Sequence, residues 1–229
     1  MLPINTLVPT RKPAYATYGL IVLNLIVYVW QLTQSAAQLN GFYVNYAAVM
    51  CKVAANPISV DTTADILRSM FLHGGWEHLV GNMGFLWIFG RNAENYFGSK
   101  RFLVLYLFWG FVAAYAQTIA TPQCIVGIGA SGAIAGVLGS YLVLYPGSRV
   151  RVMIIFLGFF PRTFDISALI VLGYWFVLQL FNGVLSLGAN TIGGGIGFFA
   201  HIGGFIGGLV IAFIYMMFKG PPERYIYID

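Results

Sequence analysis

The hydrophobic pattern divides the chain into six apolar stretches separated by more polar segments. The stretches cover approximately residues 17–36, 78–95, 102–120, 127–146, 166–187 and 197–218. Each is continuously apolar, and about 20 apolar residues in a helix cross the hydrocarbon core of a bilayer. The pattern therefore predicts six transmembrane helices.

Two further segments are apolar but do not have the length or continuity of a crossing. Residues 152–160 are too short and run into Pro161, and residues 37–77 interrupt their apolar patches with charges such as Lys52 and Asp65. Such a mixed segment is typical of a chain at the membrane surface, so we expect 37–77 to be a semi-embedded first loop. Residues 17–36 resemble a signal peptide, but an apolar core of about 20 residues exceeds the usual 7 to 15 and favours a retained helix.

The composition excludes a soluble protein. Only 8% of the residues are charged and 59% are hydrophobic, whereas a soluble domain carries about 25% charged residues. The two cysteines are too few for a disulfide scaffold, and the net charge of +5 comes from scattered basic residues. Because these do not form a stripe, we do not expect the chain to bind nucleic acid. The chain is expected to be one all-α, multi-pass membrane domain over residues 1–229.

The basic residues indicate an orientation in the membrane. One side of a six-span arrangement receives Arg11, Lys12, Arg91, Lys100, Arg101, Arg149, Arg151, Arg162, Lys219 and Arg224. The other side receives only Lys52 and Arg68. Since Lys and Arg accumulate on the cytoplasmic side, both termini are predicted to be cytoplasmic. Cys51 and Cys124 then share the outer side, and whether they pair is left open.

Several polar residues are predicted to lie at the outer level of the membrane. His78 begins the second stretch, His73 precedes it, Ser131 begins the fourth, and His201 lies one turn into the sixth. A polar group at membrane depth is costly and is therefore a functional candidate. A serine becomes a nucleophile when a neutral imidazole accepts its proton, so Ser131 and His201 are candidates for a catalytic dyad.

Glycines surround both members of this predicted dyad. Gly129 and Gly132 flank Ser131, and Gly204 and Gly208 follow His201 in a small-xxx-small pattern that allows close helix packing. His78 and Asn82 are four residues apart on one helix face and could donate hydrogen bonds to an oxyanion. Each feature also has another explanation. Ser131 and the glycines could serve helix packing, His201 could form an interhelical hydrogen bond, and His73 and His78 could be metal ligands or interface residues. Their coincidence at one level favours a serine hydrolase.

At these residues the sequence resembles the rhomboid family of intramembrane serine proteases. The matching blocks are FLHGGWEHLVGNMGFLWIFGRNAENYFGSKRFLVLY at 71–106, GIGASGAIAGVLGSYLVLYP at 127–146 and AHIGGFIGG at 200–208. The resemblance implies Ser131 as nucleophile and His201 as base. It further implies an oxyanion hole of His78, Asn82 and the Ser131 N–H, with His73 in a supporting role.

Two positions depart from the family pattern. Some rhomboids have a tyrosine four residues after the nucleophile that stacks on the catalytic histidine, and here that residue is Ala135. His201 must then be oriented in another way. Some also have a Trp-Arg pair in the first loop, where this chain has Ala64 and Asp65.

The resemblance implies a Ser-His protease without metal or organic cofactor. It would cleave single-span or other transmembrane substrates in the lipid bilayer, with its site toward the outer face of a bacterial or archaeal plasma membrane. The alternatives are an inactive relative that binds membrane clients, which the presence of both Ser131 and His201 disfavours, and a small channel or transporter. The scarcity of charges within the apolar stretches disfavours the latter.

Overall fold

A computed structural model describes residues 2–156, 160–187 and 197–223. Its helices are α1 (Tyr15–Leu32), α2 (Ala36–Tyr46), α3 (Met50–Ala55), α4 (Val60–Ser69), α5 (Trp76–Phe85), α6 (Arg91–Phe97), α7 (Ser99–Ala120), α8 (Ser131–Leu144), α9 (Ala168–Ser186) and α10 (Phe198–Lys219). Its strands are β1 (Leu2–Thr6), β2 (Ala48–Val49), β3 (Val126–Gly127), β4 (Arg149–Phe156) and β5 (Phe160–Ser167). The described part of the chain is therefore mainly helical.

Four helices in the described ranges are long and apolar enough to cross a membrane, namely α1, α7, α9 and α10. Between 22% and 33% of each is buried within the protein, so most of their apolar surface faces outward, as expected for contact with lipid. These four helices indicate that the chain is an integral membrane protein. The six-span count and the cytoplasmic termini stay predictions.

The second predicted span corresponds to α5 and α6, which a π-helical turn at Leu86–Gly90 joins into one run over residues 76–97. At the end of this run the carboxylate of Glu94, which is 2% exposed, accepts hydrogen bonds from the amides of Ala16 (2.9 Å) and Thr17 (2.7 Å). These amides belong to the first turn of α1 and have no acceptor within that helix. Glu94 therefore caps α1 from a neighbouring helix.

The fourth predicted span begins later than expected. Its first residue, Gly127, ends the strand β3, which pairs with β2, and the helix α8 starts only at Ser131. With 14 residues α8 is about 21 Å long, shorter than the hydrocarbon core of about 30 Å. Nearly every residue after Ser131 in α8 is buried. The helix is thus surrounded by protein, and its amino end lies inside the bundle.

The core of the bundle lies where α8 meets α7, α10 and the helical run at 76–97. Large aromatic side chains fill it, and those of Phe89, Tyr106, Trp109, Tyr141 and Phe205 are at most 2% exposed. Phe89 and Tyr141 pack edge to face with ring centroids 5.0 Å apart. This aromatic packing holds α8 in the centre of the molecule.

The prediction of an all-α fold is wrong in one respect. Residues 149–156 and 160–167, which include most of the short apolar segment, form the antiparallel strand pair of β4 and β5, and β1 pairs with β4 to complete a three-stranded sheet. Arg151 and Asp165 face each other in this register and form a two-pronged ion pair of 2.7 and 2.8 Å. A search for apolar stretches of bilayer length does not reveal strands of eight residues. Residues 157–159, the predicted outer loop 188–196 and Arg224 lie outside the described residues.

The first loop folds into three short helices. Side-chain caps begin two of them, since Ser35 exchanges hydrogen bonds with Gln38 at the start of α2 and Ser59 accepts from the Thr62 amide at the start of α4. Cys51 of α3 forms a disulfide with Cys124, which resolves the question that the sequence left open. The disulfide and the β2–β3 pair attach this loop to the segment that leads into Ser131. Its location at the membrane surface stays a prediction.

Candidate active site

Ser131 is held at the amino end of α8 by the backbone before it. Gly129 adopts a φ of +125°, a conformation that a residue with a side chain rarely adopts, and its N–H donates to the Ser69 carbonyl at 2.9 Å. The turn at Gly129 ends the extended β3 segment and begins the helix two residues later. Ser131 is consequently the first helical residue, and its N–H has no acceptor within α8.

His201 lies in the first turn of α10, whose backbone packs directly on that of α8. A Cβ atom added at Gly204 would stand 2.0 Å from the Gly132 carbonyl oxygen, and one added at Gly208 would stand 2.0 Å from that of Gly136. Only glycine permits so close an approach. The glycines predicted to allow close helix packing therefore lie at the α8–α10 contact.

This packing brings together Ser131 and His201, which are 70 residues apart in sequence. The Nε2 atom of His201 lies 2.8 Å from the Oγ atom of Ser131, which is a hydrogen-bond distance. Both side chains are half-buried and line one cavity of about 910 Å³. A serine hydroxyl in this geometry can transfer its proton to a neutral imidazole.

His78 and Asn82 line the same cavity and lie beside Gly129. A Cβ atom at Gly129 would stand 2.7 Å from the His78 ring and 3.7 Å from the Asn82 Nδ2 atom, so the missing side chain lets the backbone reach both. Asn82 is 8% exposed, and its Nδ2 donor has no hydrogen-bond partner among the described residues. An unsatisfied donor at the edge of a cavity is available to an oxygen atom that enters it.

His73 does not line the cavity and lies behind His78. It is 1% exposed, its ring packs edge to face on that of His78 at 5.0 Å, and neither ring nitrogen has a hydrogen-bond partner within the described ranges. Burial, with the neighbouring His78, lowers the pKa of His73 from 6.5 to about 4. The imidazole is therefore neutral near pH 7 and supports the position of His78.

Two residues on α9 contact His201 and were missed by the sequence analysis. The Oε1 atom of Gln179 lies 2.8 Å from the His201 Nδ1 atom, and the Trp175 ring lies 5.7 Å from the imidazole, centroid to centroid. Gln179 is one of few strongly polar residues in an apolar helix. That rarity was a signal, because a polar group at membrane depth is a functional candidate by default.

The described residues hold no group of three or more His, Cys, Asp or Glu side chains that could bind a metal ion. His73 and His78 are the two histidines for which metal ligation was left open. They contact each other, but a third protein ligand does not join them in the part of the chain that the structure describes.

Comparisons with known proteins place the chain in a family. The family model of the Rhomboid domain matches residues 61–218, more than half of the chain. The chain is 31% identical over 147 residues to "Rhomboid protease GluP" of Bacillus subtilis, and the match covers 64% of this chain and 25% of that protein. It is 29% identical over 149 residues to the human "Presenilin-associated rhomboid-like protein, mitochondrial", with 63% and 36% covered.

A similar match joins the chain to "RHOMBOID-like protein 6, mitochondrial" of Arabidopsis thaliana, at 30% identity over 152 residues, 66% of this chain and 43% of that protein. The chain thus matches less than half the length of these relatives. Two of these relatives are named as mitochondrial proteins, so the comparisons do not support the predicted bacterial or archaeal plasma membrane. The match to the family model, over the residues that include Ser131 and His201, establishes that this chain belongs to the rhomboid family.

Proposed function

We propose that the protein is an intramembrane serine endopeptidase that hydrolyses peptide bonds in or next to transmembrane segments of other proteins. The observation that carries this proposal is the 2.8 Å separation between Ser131 Oγ and His201 Nε2. The membrane-spanning helices that surround the site argue for a substrate that is itself in the bilayer.

In the proposed reaction, Ser131 Oγ attacks the carbonyl carbon of the scissile bond and its proton passes to His201 Nε2. The former carbonyl oxygen becomes negative and accepts hydrogen bonds from His78, Asn82 and the Ser131 N–H. Collapse of this intermediate breaks the C–N bond, and the leaving amine takes the proton from His201. Water then adds to the acyl-enzyme by the same route, which releases the carboxylate and restores Ser131.

The position of Ser131 at the start of a helix assists this chemistry. The first N–H groups of α8 lack intrahelical acceptors, and the helix dipole places partial positive charge at this end. Both features stabilise negative charge close to the reacting carbonyl. The cavity of about 910 Å³ beside Ser131 is large enough to hold several side chains and the water that hydrolysis consumes.

The test uses the full chain in proteoliposomes with a model single-span substrate and a fluorophosphonate probe. Wild-type protein should cleave the substrate and be labelled at Ser131. Ser131→Ala, His201→Ala and the double variant should each lose cleavage to a similar extent, because a nucleophile and its base act as one unit.

Ser140→Ala is the matched control, since it removes a second hydroxyl from α8 that donates to the Gly208 carbonyl, 3.1 Å away. It should keep both cleavage and labelling. If correctly folded wild-type protein neither cleaves nor reacts with the probe while still binding the single-span protein, the protein is an inactive relative that binds membrane clients.

A further inference from the structure

The imidazole of His201 contacts two helices through its two nitrogens. Its Nε2 atom faces Ser131 on α8, and its Nδ1 atom lies 2.8 Å from Gln179 Oε1 on α9. Trp175 precedes Gln179 by four residues and lies 5.7 Å from the same ring, tilted by 36°. Residues four apart share a helix face, so one face of α9 contacts both the edge and the plane of the imidazole.

We propose that Gln179 is the positioning residue that selects the reactive tautomer of His201. The proposal rests on the function proposed above. A neutral imidazole carries one proton, and an amide oxygen only accepts hydrogen bonds. With Gln179 Oε1 as its partner, Nδ1 carries the proton and donates it, while Nε2 keeps the lone pair that faces Ser131 Oγ.

The same contact assists the charged state of the reaction. When His201 accepts the proton of Ser131 it becomes an imidazolium, and the hydrogen bond from Nδ1 to the amide oxygen then becomes charge-assisted and stronger. Gln179 supplies this acceptor without a charge of its own. That suits α9, which has no Asp, Glu, Lys or Arg along its length, because an isolated carboxylate in an apolar helix is costly.

The packing of α8 explains why the support comes from α9. Ala135, one turn after Ser131, is fully buried, and its Cβ atom would lie 3.3 Å from a Cβ atom added at Gly204. At this point α8 and α10 are in backbone contact, so Ala135 offers neither a ring nor a polar group to His201. Trp175 and Gln179 of α9 contact His201 instead.

The opposite orientation of the amide makes the proposal testable. If the Gln179 NH₂ group faced His201, it would donate to Nδ1 and force the proton onto Nε2, where it would face Ser131 unproductively. The two orientations differ in the tautomer of His201. Imidazole ¹⁵N chemical shifts distinguish these tautomers in histidine-labelled protein in detergent micelles, with the His201 signals assigned by their loss in His201→Ala.

We expect the Nδ1–H tautomer in the wild-type protein. Gln179→Met keeps the length of the side chain but removes the acceptor, so the Nε2–H tautomer should gain population and kcat should fall by about 10- to 100-fold. KM should stay within about twofold, because Gln179 acts through His201. Gln179→Glu restores an acceptor and should restore the Nδ1–H tautomer and most of the cleavage rate.

Asn182→Leu is the matched control because it removes the other amide of α9, which donates to the Leu178 carbonyl at 2.8 Å. It should leave the tautomer and kcat unchanged. An Nε2–H tautomer in the wild type, or wild-type kcat in a folded Gln179→Met variant, would overturn the role of Gln179. If the wild-type protein is not labelled by the fluorophosphonate, the proposed function is overturned instead. The tautomer measurement does not depend on that labelling.

Discussion

The pair His78 and Asn82 depends on a single backbone conformation. A Cβ atom added at Gly129 would stand 2.7 Å from the His78 ring, and the φ of Gly129 is positive, so this position requires a glycine. Asn82 Nδ2 is a buried donor without a partner in the described ranges, which costs free energy in the resting protein. An oxyanion that accepts from this donor recovers that free energy in the transition state.

We predict that His78→Ala and Asn82→Ala each lower kcat by about 100- to 1,000-fold, the usual effect of removing one oxyanion donor. The Ser131 N–H remains in both variants, so cleavage should be reduced but measurable. Both proteins should still react with a fluorophosphonate at Ser131, more slowly than the wild type. Cleavage assays and probe-labelling rates measure the two effects.

A purely structural or metal-binding role for these side chains leads to a different result. Thermal stability or metal content would then fall in the single variants while kcat per folded molecule stayed unchanged. Full turnover by the double variant His78→Ala/Asn82→Ala would refute their assignment as oxyanion donors.

At the scale of elements, the contact between α8 and α10 sets the distance between Ser131 and His201. Gly204 and Gly208 pack on the Gly132 and Gly136 carbonyls, and Gly139 packs in the opposite sense on the Phe205 carbonyl, 2.1 Å from an added Cβ atom. The contact is therefore backbone on backbone over two turns. Any side chain added there must separate the helices.

We predict that Gly208→Ala lowers the free energy of unfolding by about 1–3 kcal/mol, the usual effect of overpacking. The cleavage rate should fall by more than the loss of folded protein accounts for. The reason is that the added methyl group moves α10, and with it His201, away from α8. Gly173→Ala in α9 is the control, because an added Cβ atom there meets nothing within 4 Å.

Alanine is the better helix former, so this control should be neutral or stabilising by up to about 1 kcal/mol. Thermal unfolding in micelles and the cleavage rate measure both variants. Equal stability and activity of Gly208→Ala and Gly173→Ala would contradict the close helix contact.

At the scale of the whole molecule, two features bear on the predicted orientation in the membrane. The Cys51–Cys124 disulfide and the β2–β3 pair join the first loop to the segment before Ser131, and a disulfide persists on an oxidising side of a membrane. The strands β4 and β5 carry Arg149, Arg151 and Arg162, which favour the cytoplasmic side. The predicted orientation would put the disulfide on the outer side and these arginines on the cytoplasmic side, and it stays a prediction.

We predict that single cysteines report this orientation in intact cells when Cys51 and Cys124 are replaced by serine. Gln123→Cys should react with a membrane-impermeant maleimide from outside, and Gly147→Cys should react only after the cells are opened. Both positions are exposed, so accessibility within the protein does not limit labelling. External labelling at 147 would contradict the six-span arrangement.

The apolar periodicity and the spacing of a few polar residues carried much of the fold and of the candidate site. So few charges and such long apolar stretches are compatible only with a membrane protein. Polar groups at membrane depth are rare, and this rarity identified Ser131, His201, His78 and Asn82 as candidates. The strands β4 and β5 were not predicted, since the formation of a strand depends on its partner strand as well as on its own residues.

The sequence by itself determined the membrane character, the positions of the long helices and the residue types at the site. Only the tertiary structure decided which atoms meet. The late start of α8 follows from the β2–β3 pair and the conformation of Gly129. The contact between Gln179 and His201 joins residues on two helices, and hydrophobic patterns specify a helix face but not the neighbour it packs against.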